Sequence, residues 1–152
     1  MEEAGESEKA IEVATAAQQS APDPTSHCYA SGFLAYAYLE SGDVAQALPA
    51  LQAASDEVNR IGFQVWHSLF LAYLSEAQRK VGSVADALAT AERSLEVARA
   101  YRYPMAEAWA LRARGRALVA LQRPDEAQVA VGSAIEIFTS LGALHEVARS
   151  NG

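Results

Sequence analysis

One seven-residue signal, written three times at a spacing of 40 residues, sets what this chain can fold into. Gly82-Ser83-Val84-Ala85-Asp86-Ala87-Leu88 follows one apolar helical stretch and opens another. Gly42-Asp43-Val44-Ala45-Gln46-Ala47-Leu48 stands 40 residues before it, and Gln122-Arg123-Pro124-Asp125-Glu126-Ala127-Gln128 stands 40 after. The unit is a helix-turn-helix pair. A fixed period of this size means a stacked array, in which no unit buries its apolar face alone and each completes its neighbour's core. The 152 residues fit one such domain. Alanine is the commonest residue and only 8% of the chain is aromatic. Because alanine favours helix and lets helices approach closely, an all-α, tightly stacked fold is expected.

Charge and cysteine content exclude several classes of function. The net charge of −7 argues against a general binder of nucleic acid or of anionic membranes. The charge is also polarised: residues 1–26 carry six acids against Lys9, and residues 99–123 carry six arginines against Glu107. Cys28 stands alone and cannot form an internal disulfide, which allows a reducing compartment. There is no secretory apolar core and no run near the roughly 18–20 apolar residues of a membrane helix. The chain reads as soluble and cytoplasmic.

Taken in order, residues 1–21 read as the second helix of a partial repeat, with Gly5 placed before Ala10 as Gly42 is before Ala47. A chain that opens on half a unit reads as a segment of a larger protein. Pro22 and Pro24 break that helix, and Thr25 or Ser26 is the expected cap of the next, over His27–Glu40. Repeat 1 covers residues 25–62, repeat 2 residues 64–102 and repeat 3 residues 104–142. Pro49 falls inside a predicted helix and reads as a local irregularity. Pro104 and Pro124 suit first helical turns. Residues 143–149 form a partial or capping helix, and Ser150-Asn151-Gly152 a disordered tail.

These residues resemble the tetratricopeptide repeat, whose pattern is W-x2-L-G-x2-Y, then A-x3-F, then P. The first repeat matches as Ser31, Leu34, Ala35, Tyr38, Ala47 and Leu51. The second reads Leu71, Leu74, Ser75, Gln78, Ala87 and Ala91, and the third Leu111, Arg114, Gly115, Leu118, Ala127 and Val131. The closing proline is replaced by Asn59, Arg99 and Thr139, and the period is 40 in place of 34. Longer repeats of this style are similar to those of large bacterial signalling and transcriptional regulators. The resemblance implies a right-handed α-solenoid of antiparallel helix pairs, about seven helices and a short C-terminal one.

It also implies a concave face lined by the first helix of each pair. Carried over by position, that face displays Tyr29, Gly32 and Tyr36, then Leu69, Ala72, Glu76 and Arg79, then Trp109, Arg112, Arg116 and Val119. Trp109, Arg112 and Arg116, spaced three and four apart, share one side of their helix. Arginine offers a planar fork to carboxylates, and tyrosine and tryptophan offer rigid area to a peptide. The expected function is a protein-protein interaction module that holds a peptide, best an acidic one, or a partner domain. The alternative is a structural spacer or a self-association segment forming a homodimer. Neither membrane nor nucleic acid is expected as a partner, and no cofactor.

Catalytic and metal readings find little support. His27 and His67 share a rung of adjacent repeats, but no carboxylate or thiol pair completes a ligand set. Cys28 and His27 are neighbours in sequence and so do not face each other on a helix. No Gly-rich phosphate loop or hydrolase motif occurs, so no enzymatic activity is expected.

Overall fold

The computed structural model describes residues 2–152, and among them the chain is all-α: α1 (Glu2–Gln19), α2 (Pro24–Glu40), α3 (Val44–Arg60), α4 (Gln64–Lys80), α5 (Val84–Ala100), α6 (Pro104–Ala120), α7 (Pro124–Ser140) and α8 (Leu144–Asn151). Helices α2 to α7 each have 17 residues, and each starts 20 residues after the last. Residues 40 apart therefore stand on the same rung of successive pairs.

Three-residue turns keep this metre. In Ser41-Gly42-Asp43 the Gly42 N–H donates to the Leu39 carbonyl and the Asp43 N–H to the Tyr38 carbonyl, which closes α2 with a left-handed residue in the middle. Asp43 then caps α3, its side chain accepting from the Gln46 N–H at 3.2 Å. One residue thus ends a helix and starts the next, reversing the chain direction. The same pair of bonds recurs at Gly62, Gly82, Arg102, Gln122 and Gly142. The last three turns are not all built on glycine, since Arg102 and Gln122 hold φ values of 52° and 59°.

The inner helices α2, α4 and α6 and the outer helices α3, α5 and α7 are patterned differently. Every residue of α4 from His67 to Ala77 is buried, because neighbours cover it all round. The outer helices bury one stripe only, such as Ala87, Ala91, Ser94, Leu95 and Ala98 on α5. Inner and outer helices cross where small residues face each other. Ser75 Oγ donates to the Ala87 carbonyl at 2.7 Å, Ser94 Oγ to the Ser68 carbonyl at 2.6 Å, and Gly115 stands against Ala127 and Val131. The small residues quoted for the repeat pattern are thus the points of closest helix approach. Cys28 is buried at such a crossing, its sulfur 3.9 Å from the Ala54 carbonyl oxygen.

Three expectations change. Gly5 marks no turn: it lies inside α1, and the register of α1 on α3 is 40 and not 37 residues. Ser7, Ile11, Ala14, Thr15 and Gln18 then fall on Ala47, Leu51, Ala54, Ser55 and Val58, and these are the residues of α1 that turn inward. Helix α2 starts earlier than expected because Asp23, not Thr25 or Ser26, caps it, accepting from the Ser26 N–H at 2.9 Å with Pro24 in the first turn. Ser150 and Asn151 belong to α8, where Ser150 Oγ donates to the Glu146 carbonyl. Pro49 lies inside α3 without ending it, as expected, and is exposed.

A residue with a side chain pays roughly 1–2 kcal/mol for the left-handed conformation, and glycine in its place loses about 0.5–1 kcal/mol of chain entropy. Replacing Arg102 and Gln122 together by glycine is therefore expected to stabilise the fold by about 1 kcal/mol and to raise the melting temperature by roughly 2–4 °C. A thermal melt followed by circular dichroism checks this; an unchanged or lower midpoint would contradict the strain reading.

Candidate functional site

The aromatic residues of the inner helices form one continuous layer. Tyr29 packs against Phe63 and Trp66, Phe33 meets Trp66 and Phe70 edge-on, and Phe70 continues to Tyr73. Tyr36 of α2 stacks on Tyr73 of α4 with ring centroids 4.3 Å apart, and both reach Trp109 of α6, at 5.7 and 5.0 Å. Side chains from the first and third inner helices thus touch across the second, which closes this face at that level. Each such pair adds about 0.5–1.5 kcal/mol beyond the area it buries. Gly32 is required here, because a Cβ at that position would lie 2.2 Å from the Phe70 ring.

Beyond the aromatic layer the inner face opens into a cleft of about 570 Å³ between α2, α4, α6 and α8. It gathers Arg79, Lys80, Arg112, Arg116 and Arg149, five of the chain's twelve basic residues, against Glu40 and Glu76. A positive site therefore lies within a molecule of net negative charge. Among its ion pairs, Glu76 accepts from Arg79 at 3.0 Å and from Arg116 at 3.2 Å through one oxygen, while its other oxygen is buried without a partner. Arg149 donates to Glu40 at 2.6 Å and to the Tyr36 hydroxyl at 3.2 Å. Burial opposes the charge of Arg149, but the bonds to Tyr36 and Glu40 outweigh it and hold the guanidinium above its usual range. Burial likewise pushes the Tyr36 and Tyr73 hydroxyls up, so both stay neutral.

Arg112 is the most enclosed group of the cleft, only 1% exposed. Its guanidinium lies 4.2 Å over the Trp109 ring and 5.1 Å from that of Phe138. One nitrogen donates to the Glu146 carboxylate at 2.7 Å, to the Glu146 carbonyl at 3.2 Å and to Ser150 Oγ at 3.4 Å. The other terminal nitrogen has no partner. Burial lowers the proton affinity of Arg112, and Glu146 partly restores it.

The cleft brings together Tyr36, Glu76, Arg79, Trp109, Arg112, Arg116 and Val119 of the residues expected on this face. Tyr29 lies at the far end of the aromatic layer, and Leu69 and Ala72 are core. Two expectations are corrected: Arg112 and Trp109 do not stand open to a ligand, since the C-terminal helix and the neighbouring rings cover them, leaving Trp109 8% exposed. Glu40, Lys80, Glu146 and Arg149 were missed. The 40-residue rule reaches the first two, which end equivalent helices; nothing in the spacing points α8 back toward α2. Among the described residues no group of three His, Cys, Asp or Glu is placed to hold a metal, and no helix is long and apolar enough to cross a membrane.

The fold is that of a helical-repeat protein. The crystal structure of BtubC (BKLC) from P. vanneervenii superposes with a TM-score of 0.66 over 93% of this chain and 57% of that one, at 15% identity. Over 79 residues, 52% of this chain, the sequence is 39% identical to Regulatory protein AfsR of Streptomyces griseus, of which the matched stretch is 8%. No family model matches the chain.

Gly32→Ala is expected to lower stability by about 1–2 kcal/mol: overpacking against Phe70 costs roughly 1–3 kcal/mol and exceeds the gain of up to about 1 kcal/mol in helix propensity. Urea titration measures it, and Gly32→Ala combined with Phe70→Leu should recover much of the loss.

Proposed function

We propose that this chain is a protein-interaction segment of a larger regulatory protein, built of tetratricopeptide-like repeats, which holds a peptide or partner domain in the cleft of its concave face. The observation that carries this reading is the convergence of four arginines and Lys80 from α4, α6 and α8 beside Tyr36 and Trp109, in a cleft of about 570 Å³. The local similarity to a regulatory protein supports it. The small residues at the helix crossings support the repeat class. On this reading the cleft binds rather than reacts, and the lone buried cysteine suits a cytoplasmic protein.

A second reading is self-association, favoured by the more apolar cleft of about 970 Å³ where α1, α2 and α8 meet. Val13 and Phe33 line it and are 62% and 37% exposed.

Exposed residues on the rim of the arginine cleft test the first reading without disturbing the core. Lys80 is exposed and Val119 is 61% exposed. Lys80→Glu with Val119→Glu should melt within about 0.5 kcal/mol of the parent protein, as surface changes do, and should lose the proteins captured from a lysate of the source organism. Unchanged capture would remove the cleft as the binding surface. Sedimentation that shows dimers disrupted by Val13→Glu and Phe33→Glu would instead support self-association.

A further inference from the structure

Where α4 and α6 run side by side along the cleft, a single carboxylate holds two guanidinium groups together. Glu76 and Arg116 stand on one rung of these adjacent inner helices, and Arg79 lies one turn beyond Glu76. One Glu76 oxygen accepts from Arg79 at 3.0 Å and from Arg116 at 3.2 Å, so both cations reach the same atom. The carboxylate is sunk, its side chain 7% exposed, while those of Arg79 and Arg116 are 28% and 31% exposed. Lys80 follows on the rim, exposed and without an ion-pair partner among the described residues. Three cations against one carboxylate leave two positive charges. The C-terminal ends of α4 and α6 take back roughly half a charge each, so the open side of the cluster keeps about one whole positive charge unmatched.

We propose that the open side of Arg79, Lys80 and Arg116 is a subsite for a phosphate monoester, carried into the cleft on a phosphorylated side chain of the bound peptide. Three observations carry this. The first is the unmatched charge, which an anion completes. The second is a surplus of donors: Lys80 is unpaired, and Arg79 Nε and one terminal nitrogen of Arg112 have no acceptor. A phosphate monoester brings three acceptor oxygens and a charge of about −1.5 to −2 at pH 7, whereas a carboxylate brings two oxygens and one charge. Donors on three side chains from two helices suit the larger anion. The third is that Glu76 already fixes both guanidinium groups from below, so little side-chain freedom remains to be lost when the anion arrives. Tyr36 and Val119 line the same cleft and offer apolar surface to the residues that flank the phosphate. The inference rests on the interaction role proposed above and names the group that the partner presents.

The test uses the full chain and a fluorescein-labelled, end-capped peptide of sequence Ala-Tyr-phosphoserine-Tyr-Ala, with twins that carry serine or glutamate at the centre. Binding is read by fluorescence polarisation. The phosphopeptide should bind about tenfold or more tighter than either twin, the effect of one added charge-assisted hydrogen bond. Arg79→Gln and Lys80→Gln should each weaken it severalfold. Arg79→Gln removes one partner of the sunken Glu76, so its melt is compared with that of the parent; Lys80→Gln is exposed, should leave the melt unchanged, and keeps the test valid if Arg79→Gln unfolds. Inorganic phosphate is the competitor: displacement only at a molar excess of about tenfold or more supports a phosphate borne by a peptide, and displacement at equal concentration overturns that source in favour of a free phosphate. Equal affinity for the phosphoserine and glutamate peptides, no binding of any of the three, or a phosphopeptide affinity that ignores both substitutions overturns the subsite. If one of these occurs while lysate capture still depends on Lys80 and Val119, the interaction role stands and only the phosphate reading falls.

Discussion

Everything in this array depends on a three-residue turn with a left-handed residue at its centre. From α2 to α7 it stops each helix after 17 residues and aims the next one back along it, with the Schellman bonds of one helix and the N-terminal cap position of the next sharing a residue. Had one turn been longer, the rungs would slip and small residues would no longer face each other at the crossings. Because the metre holds, Ala47, Ala87 and Ala127 all sit at equivalent crossings with almost no exposed surface. Two of the turns hold the geometry with Arg102 and Gln122, which shows that the metre is imposed by packing of the helices it joins and not by glycine alone.

The same regularity explains how much was legible in the sequence. The helix pairs could be placed because the turn signal recurs every 40 positions, and the crossings could be read because they need small residues. The start of α1 was misread where glycine, usually a turn signal, lies inside a helix at Gly5, in open space where it meets nothing. The cap of α2 was misplaced because three residues within four positions, Asp23, Thr25 and Ser26 around Pro24, can all cap, and only the geometry decides. The inner face was placed correctly in the repeat but not in depth. Spacing says that Trp109, Arg112 and Arg116 share a side; it does not say that a helix beginning at Leu144 lies over two of them.

Burying Arg112 is the feature least expected from composition. Removing a guanidinium from water is expensive, and the carboxylate, carbonyl, hydroxyl and two aromatic rings around it offset only part of the cost. Such a residue adds little to stability compared with a well-packed apolar one. It does fix where α8 lies, because only one placement supplies the acceptors. Arg149 extends the same logic to the far side of the cleft, tying α8 to Glu40 and Tyr36 of α2, more than a hundred residues earlier in the chain.

The contact of Tyr36 with Trp109 over Tyr73 has a mechanical side. Stacked helical arrays are springs: each pair touches only the next, so a small rotation at every joint adds up to large changes of curvature. Here the first and third joints are pinned together by rings in contact and by an ion pair from the last helix. Straightening the segment would require those rings to part before any joint could open. The stretch from α2 to α8 therefore behaves as a stiff bracket, and bending of an array that contains it would be confined to the joints on either side.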